Sequence, residues 1–153
     1  MRLTTFTDYS LRVLMYLALE PEGRTTIAGI ATAFNISENH LTKVVHFLGK
    51  QGYLINTRGR GGGLALAKAP ADINIGDVVK VAEGGDVPAE CFDRENNRCS
   101  ITADCRLKFA LADAVKAFYA ELGKYTLADA VSNRKALVKV LFHPSVAAKA
   151  AAG

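Results

Sequence analysis

Cys91, Cys99 and Cys105 are the only cysteines of this 153-residue chain, and all three fall in one polar stretch, Cys91-Phe-Asp-Arg-Glu-Asn-Asn-Arg-Cys99-Ser-Ile-Thr-Ala-Asp-Cys105. Cysteine is ordinarily a buried small hydrophobe, so three of them among Asp, Glu, Asn and Arg point to chemistry rather than packing. The spacing is Cys-x7-Cys-x5-Cys. It lacks the close cysteine pairs common in structural zinc sites, and the nearest downstream histidine, His143, is distant in sequence. Wider gaps suit a larger object whose metal corners are separated, such as an iron–sulfur cluster held by thiolates. Three thiolates leave one corner for a carboxylate, a histidine, solvent or a partner chain, and a small ligand would attack there. Zinc remains an alternative. So does thiol redox sensing, for which Arg98 and Arg106 beside Cys99 and Cys105 supply a positive environment. No Ser/His/Asp arrangement can be placed and the loop carboxylates lack an acid–base partner, so an enzyme is not expected.

The elements that must position these thiols read as mainly helical. Half the residues are hydrophobic, yet no apolar run approaches the roughly 20 residues of a membrane span. The opening Met-Arg-Leu-Thr-Thr-Phe-Thr-Asp runs straight into a helix cap without the apolar stretch of a signal peptide. A cytoplasmic protein with no membrane association is expected, with reduced thiols and no purely intrachain disulfide framework. The net charge is +4; of 19 bases and 15 acids, eight and four lie up to Lys68, leaving 11 of each in the remainder. All the positive balance therefore belongs to the first half, which suggests a polyanion partner there.

Thr7 and Asp8 read as the N-terminus of a first helix carrying Leu11, Leu14, Leu17 and Ala18 on one face. A second helix is expected from Thr26 to Phe34, and a third capped by Ser37, with Leu41, Val44, Val45 and Leu48 at core spacing. Asn39, His40, Thr42, Lys43 and His46 are then left facing outward, and Gly52 closes the helix. Two short helices across a tight turn describe a helix-turn-helix. Strand-like runs 53–57 and 64–67 flank Arg58-Gly-Arg60-Gly61-Gly-Gly, which makes a hairpin wing with two arginines at its tip. No Gly-Lys-Ser/Thr follows and the loop leads into a strand, so a nucleotide phosphate loop does not fit. Helix three would enter the major groove of double-stranded DNA, with Arg58 and Arg60 reaching phosphates or the minor groove.

Beyond the wing, a short helix bearing Val78, Val79 and Val81 ends at Glu83-Gly84-Gly85. After the cysteines, 106–122 forms the longest helical stretch, with Leu107, Leu111, Ala114, Val115, Phe118 and Leu122 as an apolar stripe and Gly123 as its end. Pairing with a second copy would cover that stripe and present two recognition helices to successive turns of DNA. Thr126 to Asp129 resembles a capping box, 135–142 is again amphipathic, and 144–153 reads as a disordered tail. The expected organisation is a winged-helix domain over 1–82, a cysteine loop over 83–105, a dimerisation helix over 106–123, and C-terminal helices over 124–143 packing back on the N-terminal domain.

In this order, six segments carry a family resemblance: Leu3 to Tyr9, Asn39 to Val45, Arg58 to Leu64, Ile75 to Val79, Cys99 to Leu107 and Tyr125 to Asp129. Through them the chain, from about residue 1 to 142, resembles the NsrR/IscR family of winged-helix iron–sulfur transcription regulators. Lys108 stands where IscR-like members carry a ligand histidine, so the resemblance is nearest to the nitric-oxide-sensing, NsrR-like branch. It implies a homodimeric repressor that releases its operators on nitrosylation of a [4Fe-4S] cluster. The implied ligands are Cys91, Cys99 and Cys105 of one chain and Asp8 of the other, with Arg12 one turn later orienting that carboxylate. The DNA contacts it implies fall on Ser37, Asn39, His40, Thr42, Lys43, Arg58, Arg60 and Gly61. The alternative on the same scaffold is an iron–sulfur or redox status regulator with a [2Fe-2S] cluster or a thiol switch. The seven-residue gap between Cys91 and Cys99 departs from the family pattern by its length.

Overall fold

The computed structural model describes residues 2–20, 25–57, 59, 62–85 and 87–142. Its elements are helices α1 (Thr5–Leu19), α2 (Ile27–Phe34) and α3 (Glu38–Lys50), strands β1 (Leu54–Thr57) and β2 (Gly63–Leu66), then α4 (Ile75–Ala82), α5 (Arg106–Leu122), α6 (Leu127–Ala130) and α7 (Arg134–Leu141). The fold is thus mainly helical with one antiparallel hairpin, a winged helix followed by a long helix.

α1 is the central element. It packs against α3, α4, α6, α7 and β2. Covered from several sides, it buries Thr7, Ser10, Val13, Leu14, Tyr16, Leu17 and Leu19, whereas Leu11 and Ala18 are only half-buried. The N-terminus also differs from the sequence expectation. Thr4, not Thr7, is the N-cap, accepting from the Thr7 N–H, and Thr7 is fully buried one turn inside.

The helix-turn-helix follows its local signals closely. Thr26 caps α2 by accepting from Gly29 N–H, and Asn35 adopts a left-handed φ of 52° to turn the chain. Leu41, Val44, Val45 and Leu48 are all buried, as their spacing requires. Gly52, at φ 72°, ends α3: its N–H reaches Gly49 C=O at 3.0 Å and Tyr53 N–H reaches Leu48 C=O at 3.0 Å. β1 pairs with β2 from Leu54↔Leu66 to Thr57↔Gly63, and Leu54 and Leu64 point into the core. Thr25 adds a further bridge to Leu64, so the hairpin is tied to the chain entering α2. Each fully buried leucine or isoleucine of this core contributes about 1.5–3 kcal/mol.

Behind the wing, Asn74 caps α4 and also donates to Gly123 C=O at 2.7 Å. Thr126 and Asp129 form the capping box of α6. α7 lies against α1: the Tyr16 and Phe142 rings are 4.7 Å apart, and the Arg134 guanidinium donates to Ala18 and Leu19 C=O. α1 has no basic residue in its own last turn, so Arg134 supplies the positive charge that its C-terminal dipole favours. Arg134→Ala is expected to cost about 1 kcal/mol, or about 3 °C in Tm, with Arg134→Lys intermediate because a lysine cannot fork to two carbonyls. Thermal melts of the three proteins decide this, and an unchanged Tm in Arg134→Ala would remove the cap.

Candidate functional site

Two sets of residues are candidates: the outward side of α3 with the wing, and the cysteine loop with the start of α1. On α3, Ser37 occupies the N-cap position without a side-chain cap bond, leaving its hydroxyl exposed. Asn39, His40, Thr42 and Lys43 are exposed in the first two turns; the Thr42 hydroxyl donates to Glu38 C=O at 2.8 Å, and the His40 ring lies 6.3 Å from Tyr9. Thr42, His46, Lys50 and Asn56 border an open groove between α3 and β1. Polar and basic side chains are gathered there on one face, backed by a buried apolar face that fixes the helix. Arg58, Arg60 and Gly61 lie outside the described residues.

The cysteine loop emerges from α4 at Glu83 and enters α5 at Cys105, its N-cap. Side chains organise it locally. Asp93 accepts from the Glu95 and Asn96 N–H groups and the Asn96 amide, Asn97 accepts from Cys99 N–H at 3.0 Å, and the Thr102 hydroxyl donates to Cys99 C=O at 2.8 Å. These three donors to Asp93, the Asn96 amide foremost, hold its carboxyl below its ordinary value. The three thiols are free and half-buried. Among the described residues, no three His, Cys, Asp or Glu side chains form a group able to hold a metal ion. Within one protomer the loop therefore supplies soft donors without drawing them together.

Asp8 and Arg12 do meet. The Arg12 Nη2 is 2.7 Å from Asp8 Oδ2 and its Nε donates to Oδ1 at 3.0 Å, one turn apart on α1. Arg12 is further fixed over the Tyr9 and Phe34 rings at 5.9 and 5.8 Å. Both partners are more than 40% exposed, so the pair stabilises the fold by no more than about 1 kcal/mol. Its two contacts fix the orientation of the Asp8 carboxylate.

Glu83 is a residue whose role the sequence did not reveal. Its Oε1 accepts from Thr4 N–H at 2.8 Å and from the Thr4 hydroxyl at 3.0 Å. Burial pushes its carboxyl up, but hydrogen bonds from the Thr7 hydroxyl and the Thr4 amide and hydroxyl together hold it below its ordinary value of 4.5. A depressed carboxylate stabilises the fold fully above the unfolded value and loses that contribution as pH falls through the folded one. The stability difference between the native protein and Glu83→Gln is thus expected to be constant above about pH 5 and to shrink below about pH 4. Urea midpoints across that window test it; a difference flat down to pH 3 would contradict the assignment.

The fold and the exposed polar side of α3 define a winged-helix DNA-binding regulator. Comparison with known proteins agrees. The model of the Rrf2 family, described as iron-dependent transcriptional regulators, matches residues 3–133. The HTH-type transcriptional regulator NsrR of Geobacillus kaustophilus is 50% identical over 142 residues, covering 92% of this chain and 97% of that protein. NsrR of Bacillus subtilis is 49% identical over 142 residues, again covering 92% and 97%. Among solved structures, CymR, the global cysteine regulator of B. subtilis, has a TM-score of 0.65 at 32% identity over 87% of this chain and 98% of that one. IscR of T. potens has a TM-score of 0.68 at 27% identity, covering 87% and 88%. The chain belongs to the Rrf2 family and is a transcriptional regulator of the Rrf2/NsrR type, not an enzyme. No helix among the described residues is long and apolar enough to cross a membrane.

Proposed function

We propose that this chain is a dimeric, cytoplasmic transcriptional repressor that senses nitric oxide through a [4Fe-4S] cluster held by Cys91, Cys99 and Cys105 of one protomer and Asp8 of the other. The observation that carries the reading is the donor set: three free, half-buried thiols on one loop, and one carboxylate held at the start of α1 by Arg12. Thiolates suit iron–sulfur chemistry, and the near full-length similarity to NsrR supports the NsrR-type assignment. When bound, the cluster supplies iron that reacts with nitric oxide.

The chain's own residues then do the following. The cysteine loop, anchored at Glu83 and Cys105 and meeting α5 where Lys108 Nζ lies 5.7 Å from the Phe92 ring, would bring its three thiolates to the cluster. Asp8 would be the fourth ligand, its hard oxygen the weakest match to iron–sulfur chemistry, and Arg12, paired with it in the single chain, would hold its carboxylate when it is not bound. α1 rests on α3 through the Phe6 and Phe47 rings, edge to face at 5.1 Å, so a displacement of Asp8 reaches the recognition helix. Ser37, Asn39, His40 and Thr42 read the major groove and Lys43 contacts the phosphate backbone beside it, while Arg58, Arg60 and Gly61 reach phosphates or the minor groove. α5 is the dimerisation helix; Leu107 and Phe109 near its start are 66% and 68% exposed in the single chain.

Anaerobically purified protein is expected to be a brown dimer with about four iron and four sulfide per protomer, and nitric oxide is expected to weaken operator binding more than about tenfold. Zinc in place of iron, or affinity indifferent to nitric oxide, would overturn the reading. A second reading, a status regulator with a [2Fe-2S] cluster or a thiol switch, draws on the accessibility of the three thiols. About two iron per protomer, or reversible loss of binding on thiol oxidation alone, would select it.

A further inference from the structure

We propose that Glu83 is the positioning residue that couples the cysteine loop to the recognition helix, by holding the N-cap of α1 to the residue from which the loop departs. The proposal rests on the reading that the cysteine loop is the sensor. It adds the route by which that loop acts on DNA binding within a single protomer.

Glu83 is the C-cap of α4, its backbone N–H bonded to Val79 C=O at 2.9 Å. Gly84 and Gly85 take φ values of 79° and 98°, which a side chain would strain. Their N–H groups return to Val81 and Lys80 C=O at 3.3 and 3.0 Å, so the chain leaves α4 in one fixed direction. From there the carboxylate reaches 79 residues back along the chain to the Thr4 amide and hydroxyl, at 2.8 and 3.0 Å, and the Thr7 hydroxyl lies 3.0 Å from that Thr4 hydroxyl. An anionic acceptor at a helix N-terminus satisfies amides that have no intrahelical partner and complements the dipole. One residue therefore ends α4 through its backbone and holds the start of α1 through its side chain.

What α1 does next makes this a coupling. Its first two turns touch α3 at both ends: Phe6 packs on Phe47, and Tyr9 lies beside His40. A shift of the loop origin that pulls on Thr4 therefore tilts α1 against the whole length of α3. The Tyr119 hydroxyl, donating to Gly85 C=O at 3.5 Å, brings α5 to the same junction. A cavity of about 180 Å³ lined by Leu3, Val87 and Phe118 lies alongside, leaving the N-terminal arm room to move.

The test uses the full-length protein with and without its cluster. In the native protein the operator affinities of the two forms are expected to differ by at least about tenfold. In Glu83→Ala the ratio is expected to fall to about twofold or less, with unchanged iron content and helicity, and Glu83→Gln to lie between. In cluster-free protein, hydrogen exchange of Thr7, Asp8 and residues 41–50 should accelerate together in Glu83→Ala, by about tenfold, while residues 134–141 stay unchanged. A Glu83→Ala protein that keeps the native affinity ratio overturns the coupling. A native ratio near one overturns the sensor reading instead, and exchange then decides: acceleration confined to α1 and α3 upholds the latch, and unchanged exchange removes it.

Discussion

Leu41→Ala is expected to lower the unfolding free energy by about 3 to 4 kcal/mol, a large part of the roughly 5–15 kcal/mol typical of a domain. Leu41 is fully buried in the cluster that also contains Leu14, Ile30 and Leu48, so truncation leaves a cavity that close-packed helices cannot fill. Lys43, two residues on and about 200° around the helix, is exposed. Lys43→Ala is expected to leave stability within about 0.5 kcal/mol while weakening operator binding about tenfold and reducing the salt slope by about one unit per protomer. Urea unfolding with a constant m-value measures the first effect, and fluorescence anisotropy across a salt series the second. A stability loss below about 1 kcal/mol in Leu41→Ala would show that the α1–α3 seam closes over the gap. Equal slopes for Lys43→Ala and the native protein would take Lys43 off the phosphate backbone.

Gly76→Ala should reverse the sign that helix propensity assigns. Alanine is the better helix former by about 1 kcal/mol, and on α4 alone the change would stabilise. A Cβ at Gly76, however, would lie 2.8 Å from Gly123 N, 3.0 Å from Gly123 Cα and 3.0 Å from Tyr119 O. All three are backbone atoms, so no rotamer relieves the clash and α5 itself must move. A net loss of about 2 kcal/mol is expected. Gly29→Ala is the matched control: on α2 its added Cβ would meet only Thr26 Oγ1 at 3.4 Å and Tyr16 OH at 3.9 Å, both side-chain atoms in ordinary contact. It should be neutral or stabilising by up to about 1 kcal/mol. Thermal melts of the pair decide the matter, and equal effects at the two glycines would mean that α4 and α5 are free to separate. α5 runs from its N-cap at Cys105 to its C-cap at Gly123, so this contact lies at the end of the helix opposite the cysteine loop.

Much of this fold was legible from residue types at local spacing. Leu41, Val44, Val45 and Leu48 are buried because a 3.6-residue repeat can face only one way, and the same repeat left Asn39, His40, Thr42 and Lys43 outside. The capping box at Thr126, the end of α3 at Gly52 and the span of α5 from Arg106 to Leu122 also follow from chemistry within a few residues. The cysteine spacing marked the loop as chemical, and the family resemblance named Asp8 as the fourth ligand proposed above.

The start of α1 was not legible in this way. Thr4 and Thr7 are equally good caps by type, and Thr4 was selected because Glu83, 79 residues later in the chain, accepts from its amide. The buried face of α1 is wider than its apolar spacing predicts for a related reason: helices and a strand cover it from several sides, so Thr7, Ser10 and Val13 join the core. Capping and periodicity are decided within a turn or two of the chain and can be read from the sequence itself. The Gly76–Gly123 contact, the Arg134 cap on α1 and the Glu83 junction join residues 47, about 115 and 79 positions apart, so they exist only once packing has brought those segments together.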